Sequence, residues 1–248
     1  MTRSQFEDLR GAAERGDHET VLRLSERELG ERPGDDAAHD LRARALVALG
    51  RLDEAERHAA DAVRLDPDEI RYRELFAEIL AARGAHADAA TEYRDLARND
   101  PRQVTWTLAE ARERLDSQQP DVAVEAARRA VRLDAANADA QVALARGLVR
   151  LGDGGGAVTA AEAAVRLRAA DLAARELLAD ARWLAGQPVE AFGGFASLSS
   201  ELRGSDRARV TQKARSLYRQ RSGRAGRVLG AFGPLFRLAL RSGWLHLR

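Results

Sequence analysis

The sequence predicts an all-α solenoid, and three observations carry that prediction. The apolar residues of its 248 positions are mainly Ala and Leu, which favour helix over strand. A period of 34 residues runs through the first 205: Gly50, Gly84, Gln118 and Gly152 are each 34 apart, and Gly16 and Gly186 extend the series both ways. Two further series keep the same step. Val21, Ala55, Ala89, Ala123, Ala157 and Ala191 stand five residues past those turn positions, and Pro33, Pro67 and Pro101 are continued by Ala135 and Ala169. A period sustained over six copies marks a repeat architecture.

Each unit reads as two short amphipathic helices. In the second, Leu41, Ala45, Leu46 and Leu49 follow a 3.6-residue period and Gly50 breaks the helix. Leu52, Ala55, Ala59, Ala62 and Val63 form the second stripe, which Pro67 ends. Alanine at the contact positions lets helices approach closely. No unit can bury its apolar face alone, so neighbours must stack. The predicted units are 2–35, 36–69, 70–103, 104–137, 138–171 and 172–205, with Gly193-Gly194 a soft point in the last second helix. A cap over the last unit is expected at 206–221. Ser205 or Asp206 starts it, Val210, Ala214, Leu217 and Tyr218 line its inner face, and Arg207, Arg209, Arg215, Arg219 and Arg221 face solvent.

Composition excludes several function classes. With no Cys there is no disulfide framework, Cys-ligated zinc, iron–sulfur cluster or thiol nucleophile. With 32% charged residues and no apolar run of 18, a multi-span membrane protein is excluded, and 45% hydrophobic residues exclude a wholly disordered chain. Thirty-nine Arg against one Lys indicate a GC-rich bacterial genome. Residues 206–248 hold ten Arg and Lys213 against Asp206, a net +10, which leaves −9 for the first 205. The opening MTRSQFEDLR has no apolar signal core, so a cytoplasmic location is expected, with the inner face of the membrane as the peripheral alternative.

Catalytic motifs fail one by one. His18, His39, His58, His86 and His246 form no HExxH pair, and His18 and His86 read as repeated turn residues. The run Gly152–Gly156 lacks the Lys-Ser/Thr of a phosphate loop and falls on an inter-helix turn, which reads as a loose one. SLSSE at 197–201 lacks a G-x-S-x-G frame. The expectation is a non-enzyme with no metal and no cofactor.

The third unit, with Ala77, Gly84, Ala89, Tyr93 and Pro101, resembles the tetratricopeptide-repeat family, and the resemblance covers about residues 2–205. Leu9 and Arg203 depart from the family's small residue and Pro. The resemblance implies a right-handed α-solenoid whose first helices line a concave groove, where ligands meet positions 2, 5, 9, 12 and 13 of each unit. Position 9 gives Arg10, Arg44, Glu78, Arg112, Arg146 and Asp180. Arginine offers a bidentate fork for carboxylate or phosphate; the alternative is pairing with Asp40, Glu74, Asp116, Asp139 or Glu176. Phe6, Val47, Leu108, Leu115, Val142, Val149 and Trp183 lie between these charges and are expected to form an apolar groove patch. The family's Lys/Asn chaperone-tail clamp is missing, since Phe6 and Asp40 stand in such places, so the expected partner is an unspecified protein or peptide.

Residues 222–248 belong to no unit. Gly223, Gly226, Gly230 and Gly233 loosen the first half and Pro234 can open a helix. Arg237, Arg241 and Arg248 then share a narrow wedge beside a broad face of Leu235, Phe236, Leu238, Leu240, Trp244, Leu245 and Leu247. Glycines, Pro234 and the two internal arginines disfavour a spanning helix, and the aliphatic content disfavours nucleic acid. Three roles fit: a helix docked in a partner, a helix on an anionic membrane surface, or a fold-back on the solenoid. The glycine spacing favours docking, with Phe236, Arg237, Leu240, Arg241, Trp244 and Leu245 as the contacting residues. The expected function is a scaffold or adaptor with a groove and a docking tail; the alternative is a membrane-recruited accessory factor. The oligomeric state is left open.

Overall fold

The structure, a computed structural model, describes residues 3–224, with side chains for 7–217 and Arg219; residues 225–248, and with them Phe236, Arg237, Leu240, Arg241, Trp244 and Leu245, lie outside it. The described residues form thirteen helices and no strand, in two compact units, Met1–Gln119 and Pro120–Arg248. The first unit holds α1 (Arg3–Glu14), α2 (His18–Glu31), α3 (Asp36–Ala48), α4 (Leu52–Leu65), α5 (Ile70–Ala82), α6 (His86–Asn99) and α7 (Val104–Asp116). The second holds α8 (Pro120–Leu133), α9 (Ala138–Leu151), α10 (Gly154–Leu167), α11 (Leu172–Leu184), α12 (Pro188–Glu201) and α13 (Gly204–Arg224). In each unit consecutive helices pack on one another, and alternate helices touch as well: α1 on α3, α3 on α5, α9 on α11.

The turn inside each helix pair has one geometry. Gly16, Gly50, Gly84, Gly152 and Gly186 have φ between 71° and 81°. The amide after each reaches back to a carbonyl five residues earlier, as in Arg51 N to Leu46 O at 2.8 Å and Asp153 N to Leu148 O at 3.0 Å. That is the Schellman closure, and it needs a left-handed residue at its centre. Gln118 fills the same place with φ 63°, a conformation that costs an ordinary L-residue about 1–2 kcal/mol. The turns between pairs are closed by side-chain caps: Asp35 accepts from Ala38 N, Asn137 from Ala140 N, and Asp171 from Ala173 N and Ala174 N; inside the first pair Asp17 likewise accepts from Thr20 N.

Small side chains occupy the crossings. Ala12, Ala38, Ala43, Ala55, Ala77, Ala89, Ala111, Ala123, Ala145, Ala157, Ala181 and Ala191 are buried. Larger residues fill the spaces between. Leu9, Val21, Leu46, Leu75 and Ile79 do so in the first unit; Val124, Leu148 and Leu177, then Phe192, Phe195 and Leu198, do so in the second. Gly154 makes one crossing closer still. A Cβ there would lie 2.5 Å from the Ala185 backbone nitrogen, so the loose turn expected over 152–156 is a turn at Gly152 and a tight contact at Gly154. Gly194 has a related role, since its Cβ would sit 3.1 Å from that of Ala179, and α12 runs unbroken through Gly193-Gly194.

Helix α13 starts at Gly204, ahead of the expected Ser205 or Asp206, and is longer than the repeat helices at 21 residues. Val210 and Ala214 are buried against Ala191, Phe192, Phe195 and Leu198, and Leu217 packs beside them. Tyr218 and Arg221, the outermost residues of the predicted cap, lie outside the described side chains.

Replacing Gly154 by Ala should lower the melting temperature, by the equivalent of about 1–3 kcal/mol for an overpacked crossing. Gly155→Ala is the control. It is exposed, its Cβ would meet only Asp153 Oδ1 at 3.9 Å, and alanine's helix propensity should raise stability by up to about 1 kcal/mol. Thermal denaturation of the two variants checks the opposite signs.

Candidate interaction site

The first helix of each pair (α1, α3, α5, α7, α9, α11) carries the position-9 residues. Arg10, Arg44, Glu78, Arg112 and Arg146 are exposed and Asp180 is half-buried. Most are engaged. Arg10 pairs with Glu14 at 3.1 Å, and Arg44 holds Asp40 through Nε at 3.0 Å to both oxygens; both are i,i+4 pairs within one helix. Asp180 receives Lys213 at 2.6 Å. Glu78 and Arg146 make no hydrogen bond or ion pair among the described residues. The acids expected to neutralise the arginines mostly have other partners: Glu74 accepts Trp106 Nε1–H at 2.5 Å, Asp139 binds Arg168 at 2.6 Å, and Glu176 binds Arg209.

The apolar groove patch needs correction. Leu108 is 8% and Leu115 5% exposed, so neither can greet a ligand. Val47, Val142, Val149 and Trp183 are half-buried and pack on the cores, Trp183 edge-on to Phe192 with centroids 5.6 Å apart. Phe6 lies outside the described side chains. The physical reason is the narrowness of the alanine crossings: neighbouring helices come close enough to enclose the aliphatic groups on either side of each small residue.

The cap brings a charge cluster that sequence reasoning missed. Arg209 forks onto Glu176 with both distances 2.7 Å, and Lys213 Nζ lies 2.9 Å from Glu176 Oε1, 2.6 Å from Asp180 Oδ2 and 5.9 Å from the Phe195 ring centre. Arg209's hydrogen bonds, with Lys213's, hold the Glu176 carboxyl down at about 2. Burial pushes Asp180 up despite Lys213. Lys213 is desolvated, but the two carboxylates outweigh that and raise it. Arg209 was expected to face solvent; it is exposed, yet its end is tied down. The signal was legible in one respect: Lys213 is the sole lysine among 39 arginines.

A second unforeseen group joins α2, α3 and α4. Arg42 donates from Nε to His58 Nε2 at 3.0 Å and from Nη1 to Leu22 O at 2.7 Å. His58 Nδ1 and His39 Nδ1 are 3.0 Å apart, and His39 Nε2 lies 3.1 Å from Pro33 O. One proton arrangement satisfies every contact: His58 Nδ1–H donates to His39 Nδ1, and His39 Nε2–H donates to Pro33 O. Asp61 lies near enough to complete a three-ligand set, but His58 Nδ1 cannot ligate while Arg42 holds Nε2 as an acceptor. The cluster is a hydrogen-bonded relay, and burial, with Arg42 and His39 beside it, lowers His58 to about 4. His86, taken as a turn residue, faces Glu113 at 2.8 Å with Asp116 nearby.

Two family models described as tetratricopeptide repeat match residues 12–79 and 108–153. The chain carries tetratricopeptide repeats over those residues. No curated protein matches it. Among solved structures, a tetratricopeptide repeat protein from Parabacteroides merdae superposes with TM-score 0.68 at 14% identity, over 96% of this chain and 97% of that one. MamA from Desulfovibrio magneticus RS-1 gives 0.62 at 16% identity, over 66% and 93%. YrrB, described as a TPR protein with an unusual peptide-binding site, gives 0.55 at 14% identity, over 89% and 98%. At these identities the likeness is one of fold, and the charges on this tetratricopeptide-repeat chain must be read from its own side chains.

The histidine relay makes stability depend on pH with a fixed sign. His58 binds its proton near 6.5 when unfolded and only near 4 when folded, so the unfolded state takes up more protons between those values. Stability is fully present above 6.5 and falls as pH drops toward 4, by roughly 1–2 kcal/mol after allowing for solvent screening of a half-exposed ring. Urea denaturation at pH 7.5 and 4.5 should show the loss, and His58→Gln should shrink it.

Proposed function

We propose that this chain is a non-catalytic interaction scaffold or adaptor. It holds a protein or peptide segment on the exposed face of its first helices and uses residues 222–248 as a second docking element. The observation that carries this reading is the state of the position-9 charges. Arg10, Arg44 and Asp180 are tied to their own chain, whereas Glu78 and Arg146 make no hydrogen bond or ion pair among the described residues. A charge left unpaired on a helix face that other family folds use as a scaffold is available for recognition. The peptide-binding site named for YrrB supports the class of function. The cytoplasm is the proposed location.

Recruitment to an anionic membrane surface is the second reading, and residues 206–248 favour it with a net +10. No helix among the described residues is long and apolar enough to cross a membrane.

Affinity capture with the full chain should retain a partner that Arg146→Glu loses in part. The loss should be largest at low salt, because exposed charges are screened within about 10 Å at 0.1 M. Deleting 222–248 should weaken capture by a separate increment. Unchanged capture in both variants would remove the reading.

A further inference from the structure

One charge reversal separates two otherwise matching places in the repeat. Residues 68 apart, two periods, correspond: Thr91, Arg94, Arg114 and Gln119 have Thr159, Glu162, Arg182 and Gln187 as counterparts. Three of the four are identical, and Glu162 alone is replaced by the opposite charge, Arg94. In the later copy the charges cancel, since Arg182 Nη2 on α11 donates to Glu162 Oε1 on α10 at 3.1 Å. The two threonines make the same bond one turn back, Thr159 Oγ1 to Gly155 O and Thr91 Oγ1 to Ala87 O.

The earlier copy has the arginine without its carboxylate. Arg114 reaches from α7 onto α6, where its Nη2 donates to Thr91 Oγ1 at 3.4 Å, and its Nη1 donates to Gln119 Oε1 at 2.7 Å. Thr91 stands one turn ahead of Arg94 on α6, as Thr159 stands ahead of Glu162 on α10. Arg114 is 8% exposed and forms no ion pair among the described residues, and its Nε is buried with no hydrogen-bond partner. Glu110, a turn earlier on α7, is buried but engaged elsewhere. Arg94 Nε is likewise buried without a hydrogen bond; its ion pair with Asp95 is long, at 3.7 Å, and Arg98 shares that carboxylate at 3.1 Å. A guanidinium cannot shed its proton, and a buried charge left without a counter-charge is strongly unfavourable. Packing does not require arginine at this place, because Leu46, Leu80 and Leu148 fill it in other repeats. Two facing buried donors without acceptors are accounted for by a bound anion.

We propose that Arg94 and Arg114 form an anion site that takes one carboxylate from outside the chain, seated as Glu162 seats its own against Arg182. The carboxylate enters beside Arg94, whose side chain is 35% exposed, and each guanidinium donates to one of its oxygens. The inference concerns the contact of α6 with α7 and does not depend on what the exposed face of the first helices, or residues 222–248, bind.

Thermal melts of the full chain at one ionic strength, about 0.1 M, test it. Replacing sodium chloride by sodium acetate should raise the melting temperature by roughly 3 °C once acetate is several-fold above its Kd. Arg94→Glu supplies the carboxylate from within the chain, so it should melt above the parent and lose the acetate response. Arg114→Leu, the residue that other repeats carry there, should fold and lose the response too, whereas Arg102→Gln, an exposed control, should keep it. A blocked peptide with one internal Glu separates the sources. A rise with the peptide as well as with acetate makes a protein carboxylate the ligand group, and a rise with acetate alone makes it a free small acid; either result upholds the site. Equal melts in the two salts, an acetate response that survives Arg114→Leu undiminished, or an Arg94→Glu chain less stable than the parent would each overturn it. A response to inorganic phosphate with none to acetate would assign the site to another anion and overturn the proposal as well.

Discussion

Most helix pairs among the described residues cross over an alanine methyl group, with Leu9 and Val21 the exceptions in the first repeat, and the other features follow from that closeness. Alanine at the crossings leaves the flanking Leu, Val and Phe side chains to fill the gaps, and they gather into apolar clusters within each unit. Gly154 marks the limit of the trend, where even a methyl would strike the Ala185 backbone. Close crossings also decide which residues remain available for recognition. They enclose Leu108 and Leu115 and leave the position-9 charges Arg10, Arg44, Glu78, Arg112 and Arg146 on the exposed side of the first helices.

A stack of repeats ends on faces that a next repeat would have covered. Helix α13 covers one of them with Val210 and Ala214, a small apolar contact. Charge supplements it: Arg209 and Lys213 satisfy Glu176 and Asp180, which a further repeat would otherwise have had to accommodate. Desolvation opposes such a cluster, as the rise of Asp180 shows, and the fork on Glu176 offsets it. The cap therefore depends on solution pH and salt more than the alanine crossings do.

Much of the fold was legible because it is periodic along the chain. The glycine series gave the turns, and the structure shows why Gln118 belongs to it: the Schellman closure imposes its left-handed backbone whatever the residue. The alanine series gave the crossings. Burial at Leu108 and Leu115 was not legible, because a helical wheel shows which side a residue faces but not how near the neighbouring helix comes. The relay of His39, His58 and Arg42 was hidden for another reason. Its members sit on different helices at spacings unrelated to 34, so no series contains them. Lys213 lay in plain view as a compositional exception, yet its role needs the pairing of α13 with α11, which periodicity does not supply.

That lysine has a chemical consequence beyond packing. A chain with a single lysine carries a single side-chain amine that acylating reagents can modify. Its free base is scarcer while two carboxylates hold the proton on Nζ, so acylation is slowed until α13 lifts from α11. The rate of amine modification at residue 213 thus clocks the opening of the cap, and acetylation there would erase the charge that closes it.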